Sequence, residues 1–536
     1  MVDTTTFWIF TIIYIAVTLL LGYLGYKKTR ASEDFMLAGR HIHPWIIGLS
    51  YGATFISTSA IVGFGGIAAQ YGMGLIWLAM LNIAVGVLLA FAFFGKRTRS
   101  LGKKLKAVTF PDLMGKRFKS SFMQYAAAVV ILVSMPLYAA AVLIGGSRFV
   151  ETTLGVDFNI ALLAFALITA VYVVAGGLIA VMYTDAMQGI IMLVGMVVLL
   201  FLTFSLLGDP ATAFTKLSDL SPQIPAGLSS KGMFSWTALP TFGSEIWYVL
   251  VTTIIMGVGI GVLAQPQLVV RFMTAKDNKA LNRAVPIGGL FILLTTGIVY
   301  TVGPLTNVYF FEKLGVIAIT AANGNVDNIM PLFINSAMPD LFVIIFMLVL
   351  LAAAMSTLSA IFHTMGTTAG FDLWSHIKRV RTKASELPLP SLRANKVGTL
   401  IMIVLSVGLA FIMPGSIIAR ATSMFMGLCA CAFLPAFVHG LFSKNPSALG
   451  AKLSMGLGAV SWFLWTAFVH LKESQALGIS KFLFGQDAVL GAPWTVVDSL
   501  VIALPISIAA LAIGWALDTH RVREEAGANG RMSAQE

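Results

Sequence analysis

Long apolar runs alternate with short polar ones along this chain, and the runs are about 20 residues long, the length a membrane-crossing helix needs. Thirteen such spans are predicted, near residues 7–26, 45–66, 74–95, 122–150, 158–177, 187–208, 246–268, 286–307, 341–366, 397–413, 416–442, 450–470 and 495–517. The run from Gly48 to Gly65 departs from the rest. It carries Ser50, Thr54, Ser57, Thr58 and Ser59 among Gly48, Gly52, Gly63 and Gly65. Glycine loosens a helix, and Ser and Thr compete for its backbone hydrogen bonds. In a membrane a broken helix persists only where its freed carbonyls face protein or a wet cavity, and such carbonyls suit a hard cation. Small residues also let helices pack closely. Both readings stand on this stretch alone.

Composition fits the pattern: 58% of the 536 residues are hydrophobic and 11% charged, against roughly 25% charged in soluble domains. The chain reads as an all-α polytopic membrane protein. Charge sets its direction. With the N-terminus outside, the cytoplasmic loops and tail hold 28 of the 35 Lys and Arg residues, as the positive-inside rule expects. The net charge of +12 is therefore topological, and a nucleic-acid partner is not expected. Cys429 and Cys431 fit neither a disulfide framework nor a metal site. Residues 7–26 read as a retained span in a cell (inner) membrane, with the C-terminus cytoplasmic. A single transmembrane domain is expected over 1–518, followed by a short tail at 519–536. Pro414-Gly415 reads as a tight outer turn.

A second unusual patch lies in span nine, Ala352 to Ala360. Ala353, Ser356 and Thr357 share one helical face by their spacing, offering a carbonyl and two hydroxyls. Depth tests whether the two patches meet. At 1.5 Å per residue, Ala53–Ile56 lie about 12–17 Å in from the cytoplasm and Ser356 about 22 Å down from outside. In a core roughly 30 Å thick these depths agree, which favours a cation site over packing. An all-oxygen set suits Na+.

A third patch, Gly176 to Gln188, contains Asp185. An intramembrane carboxylate is a functional candidate, but the boundaries place it at the interface, where Thr184 or Asp185 reads better as a helix cap. Asn82, Tyr138, Gln188, Gln265 and His363 are candidates to line a pathway or to bond neighbouring helices. Phe55, Tyr51 and Trp77 are candidate gates or packing residues, and His439 and His470 are placed at the interface.

Four stretches resemble the sodium:solute symporter family: L-A-G-R (37–40) leading into Gly48–Gly65, G-G-L-I-A-V-M-Y-T-D-A-M-Q (176–188), A-M-S-T-L-S (354–359) and A-Q-P-Q-L-V-V-R-F-M (264–273). The resemblance implies a leucine-transporter-type fold with two inverted five-helix repeats, about 45–208 and 246–442. It assigns a main Na+ site to the Ala53, Ile56 and Ala353 carbonyls with the Ser356 and Thr357 hydroxyls. Some members hold a second Na+ at positions matching Asp185 and Ser359. Here Ala360 removes one of that site's oxygens. Arg40 matches an arginine at the cytoplasmic mouth. Phe55, Ser57, Thr58 and Tyr138 fall on the solute side.

The segment I-G-G-S-R-F-V-E-T (144–152) looks like the pantothenate and monocarboxylate branch. Proline carriers have an acid at Phe55 and aromatics at the positions aligned with Val258 and Val262. The expected activity is Na+-coupled symport of a small organic carboxylate by alternating access. Uptake of an amino acid or sugar, H+ coupling through His363 or Asp185, a channel and a receptor are the alternatives. No nucleophile–base set lies within the spans, so an enzyme is not expected.

Overall fold

A computed structural model describes residues 4–382, 391–413 and 417–532, and the Pro414-Gly415 turn lies outside these. No strand forms among the described residues. The principal helices are α1 (Thr4–Lys28), α2 (Pro44–Phe55), α3 (Ser59–Lys104), α4 (Ser121–Leu154), α5 (Phe158–Leu207), α6 (Glu245–Met273), α7 (Asn278–Leu314), α8 (Asp340–Lys378), α9 (Leu392–Ile412), α10 (Ile418–Phe442), α11 (Ala448–Phe468) and α12 (Ser499–His520). By length and hydropathy ten helices can cross a membrane among the described residues, or eleven with the bent pair Ala448–Phe468 and Leu471–Leu477. That is fewer than the thirteen expected. Two of the ten are 46 and 50 residues long, and each contains a glycine with positive φ, Gly72 and Gly177.

Burial separates core from rim. The apolar stretches of α8 and α10 are 78% and 83% buried, against 28% in α1 and α12. The rim helices turn Trp8, Ile12, Leu20 and Trp515 outward. Such surfaces would associate in water, and a bilayer covers them.

Glycines set the closest helix approaches. A methyl group on Gly48 would sit 2.8 Å from the Ala284 carbonyl of α7, and one on Gly52 would fall 2.3 Å from the Phe291 ring. The packing reading of these two glycines is therefore right. At Gly177 (φ 59°) the chain reverses within α5. Before the turn, Tyr172 packs against Gly22 of α1, and after it Gln188 donates to the Tyr14 hydroxyl. The return begins directly after Gly177, earlier than the sequence boundary near 187. Asp185 thus lies two turns inside a helix, not at the interface. It caps nothing, and Thr184 bonds back to Ala180 and Val181 of its own helix.

Candidate ion and solute site

Two helices break near the middle of the molecule. α2 ends at Phe55, and Ile56 adopts extended backbone (φ −91°, ψ 105°). The Ser57 side chain accepts from Ser59 N–H (3.2 Å), while Ala60 and Ile61 N–H both go to the Ser57 carbonyl. Neither of those donors takes the Ile56 carbonyl. The chain then resumes as a wide turn over Ser59–Gly63. α6 breaks in the same manner at Gln265 (ψ 120°), and Pro266 starts its second half. Proline lacks the N–H that an unbroken ladder would use and is accepted at a first helical position.

The α2 break meets α8. Ser356 Oγ donates to the Ala53 carbonyl at 2.8 Å and lies 3.3 Å from the Ala353 carbonyl. Thr357 Oγ1 donates to the Thr54 carbonyl at 3.1 Å. All these residues are buried. The structure thus brings together, from elements 303 residues apart in sequence, a cluster of neutral oxygens. Hard monovalent cations prefer such donors.

Asp185 lies beside this cluster. Its Oδ1 accepts from Ser359 (3.1 Å), and its Oδ2 takes Arg271 Nη2 (2.8 Å), Ser50 (2.9 Å) and Thr54 (3.2 Å). Arg271 is 1% exposed and also donates to Ser50 Oγ and the Gln267 carbonyl. The span bounds read from the sequence, 246–268 and 286–307, leave this arginine among the cytoplasmic loop charges. The signal was its place in the apolar run L-V-V-R-F-M after a Gln-Pro break, because an ionisable group at membrane depth demands a partner. A guanidinium therefore stands where the resemblance offered a second Na+.

On the other side of the break lies a small cavity of about 10 Å³, room for about one water, lined by Phe55, Ser57, Asn82, Tyr138, Val258 and Tyr300 among others. Tyr138 stacks on Phe425 (5.3 Å between ring centres), and its hydroxyl lies beside Ser57 without a well-formed hydrogen bond. The Asn82 side-chain oxygen is also unpartnered. Buried polar atoms left open in a cavity are expected where a ligand binds. Thr58 is not in this lining; its hydroxyl donates to the Val142 carbonyl of α4. Tyr300, Thr422 and Met426 line the cavity and were not singled out from the sequence.

The remaining candidates have structural partners. Tyr51 donates to the Gly86 carbonyl, and Trp77 is 56% exposed, so neither lines the cavity. His363 donates to the Phe35 carbonyl, and Val262 packs on Gly86. Arg40 contacts Glu33 and donates to the Ala107 carbonyl.

A model of the sodium:solute symporter family matches residues 35–458. The sodium/pantothenate symporter of Haemophilus influenzae is 28% identical over 485 residues, covering 88% of this chain and 94% of that protein. The osmoregulated proline transporter OpuE of Bacillus subtilis is also 28% identical, over 460 residues, covering 84% of this chain and 87% of that protein. A solved Na+-coupled sialic acid symporter, substrate-bound and outward-open, matches in fold with a TM-score of 0.72 at 18% identity, over 95% of this chain and 98% of that one. The fold is accordingly of the leucine-transporter type. The chain belongs to the sodium:solute symporter family, as a multi-pass, Na+-coupled carrier of a small organic solute and not an enzyme.

Proposed function

We propose that Na+ is held by the carbonyls of Ala53, Ile56 and Ala353 with the Ser356 and Thr357 hydroxyls, and that the coupled solute is a small carboxylate. The observation that carries the ion site is the meeting of two α8 hydroxyls with two α2 carbonyls at the helix break. A cation entering there exchanges the hydroxyl–carbonyl bonds for direct oxygen contacts and ties α2 to α8. The solute enters at the neighbouring cavity of Phe55, Ser57 and Tyr138, which widens to admit it. Because Arg271 already neutralises Asp185, one Na+ per cycle is the stoichiometry we favour. Asp185 and Ser359 then serve to hold Arg271 and not a second ion. The N-terminus lies outside, by the loop-charge asymmetry, and the core comprises about 45–208 and 246–442. Arg40 stands at the cytoplasmic mouth.

Coupling follows from differential binding. Each ligand favours the state that binds it better. Na+ stabilises the arrangement in which α2 and α8 touch and the solute cavity is formed; its departure lets them part toward the cytoplasm.

An amino acid is the second reading, because OpuE is as similar to the chain as the pantothenate symporter is. Val258 in the cavity wall, where the proline carriers have an aromatic, tells against proline. The test is uptake into proteoliposomes under a Na+ gradient, with labelled pantothenate, lactate, acetate and proline. Ser356→Ala and Thr357→Ala should each raise the half-saturating Na+ concentration at least tenfold while the protein still inserts. An unchanged Na+ requirement in both would remove the ion site from these residues.

A further inference from the structure

A second cavity, of about 50 Å³, lies one turn beyond the solute cavity. The same three elements line both: Ile67 of α3, Thr253 of α6 and Ser423 of α10 face the outer one, Phe64, Val258 and Met426 the inner. The outer cavity sits at the N-terminal ends of α6 and α10. The opposite end of α10 receives Arg97 and Arg117 on its last carbonyls, so the cavity faces away from that basic rim. Beyond α11 the segment Leu471–Leu477 bends by 85°, which sets Lys472 and Glu473 into the cavity wall.

The charges in this wall are unequal in a specific way. Glu245 pairs with Lys231 at 2.6 Å, and Glu473 pairs with His470. Arg420 and Lys472 also line the wall, and among the described residues neither has a hydrogen bond or ion pair. Both are partly buried, so water does not fully solvate them. Asp327 lies near Arg420 and Glu245 near Lys472, but neither cation is engaged in a contact pair, whereas Glu245 and Glu473 are. The Ser423 hydroxyl, buried in the same wall, also lacks a partner. A guanidinium matches a carboxylate in a two-pronged geometry, and an ammonium adds a compact point charge.

We infer that this outer cavity is a receiving site for the carboxylate of an anionic solute, held by Arg420 and Lys472 before the solute descends to the inner cavity. It rests on the reading of the inner cavity as the solute site. It explains how an anion is selected where the inner wall of Phe55, Ser57, Asn82, Tyr138, Val258 and Tyr300 offers no cation. Unpaired cations at a mouth also raise the local concentration of anions and speed their capture.

The experiment uses the full-length chain purified in detergent with saturating NaCl. The probes are labelled pantothenate, lactate and acetate, with panthenol, the alcohol analogue of pantothenate, as the uncharged comparison. At least one acid should bind, and panthenol at least tenfold more weakly than pantothenate where pantothenate is the acid that binds. Arg420→Gln and Lys472→Gln should each weaken acid binding about tenfold, and Arg420→Lys, which keeps the charge but loses the two-pronged geometry, should weaken it less than Arg420→Gln. Preserved thermal stabilisation by Na+ in each variant shows that it is folded. The inference is overturned if none of the three acids binds, if panthenol binds as well as pantothenate, or if both Gln variants bind like the parent. Uptake separates this from the underlying reading. Na+-driven proline uptake without acid binding removes the receiving site and leaves symport intact. Arg420-dependent acid binding without Na+-driven acid uptake does the reverse.

Discussion

At the scale of single residues, the Asp185–Arg271 pair is the most exacting arrangement in the molecule. Both side chains are essentially inaccessible, at 0% and 1% exposure, and every strong donor around the carboxylate is accounted for by Arg271, Ser50, Thr54 and Ser359. Breaking such a pair by removing one partner costs about 3–5 kcal/mol, because a buried charge is left uncompensated. Arg271→Gln should therefore lower the melting temperature by several degrees in detergent. Adding Asp185→Asn should restore at least half of the loss, since no bare charge then remains. Strictly additive losses in this double-mutant cycle would show that the two residues act independently. The pair escaped sequence reasoning for a physical reason. Hydropathy windows blur boundaries by several residues, so Arg271 was counted as a loop charge and Asp185 as an interface residue. Each error hid the other partner.

At the scale of elements, breaks matter more than helices. The α2 break was legible, because Ser57 supplies a local hydrogen bond to Ser59 N–H that competes with the helical ladder, and glycines lie on both sides of it. The meeting of Ser356 with Ala53 was legible too, from depth and spacing alone. The reversal at Gly177 was legible as the end of a span, but its tightness was not: the sequence puts a loop at 178–186, and the helix resumes directly after Gly177. Its φ of 59° and the close approach of Phe35, 2.5 Å from where a methyl group would lie, both require glycine. Gly177→Val should abolish the monodisperse peak in size-exclusion chromatography. Gly155 also has positive φ (66°), but nothing lies within 4 Å of an added methyl group. Gly155→Asn should be tolerated, as asparagine enters that backbone region at small cost. Equal behaviour of the two variants would refute the claim that packing at Gly177 is decisive.

At the scale of the whole molecule, α2 is the joint through which the parts communicate. It touches α8 at Ser356 and Thr357, α5 at Asp185, the second half of α6 at Arg271 and α7 at Gly48 and Gly52. An ion bound between α2 and α8 must therefore bias the outer mouth, which α3 and α6 line a few turns away. Val249 lies in that outer wall, and the native Cys429 and Cys431 are buried, so a new thiol there reports alone. Val249→Cys, labelled with a membrane-impermeant maleimide on intact cells, should react severalfold faster in Na+ than in choline. Ser356→Ala in the same chain should flatten that difference while leaving the choline rate unchanged. Reaction only after the cells are opened would reverse the assigned orientation. Equal rates in Na+ and choline would mean that the ion at α2 and α8 does not govern access, and the coupling described for these helices would fail.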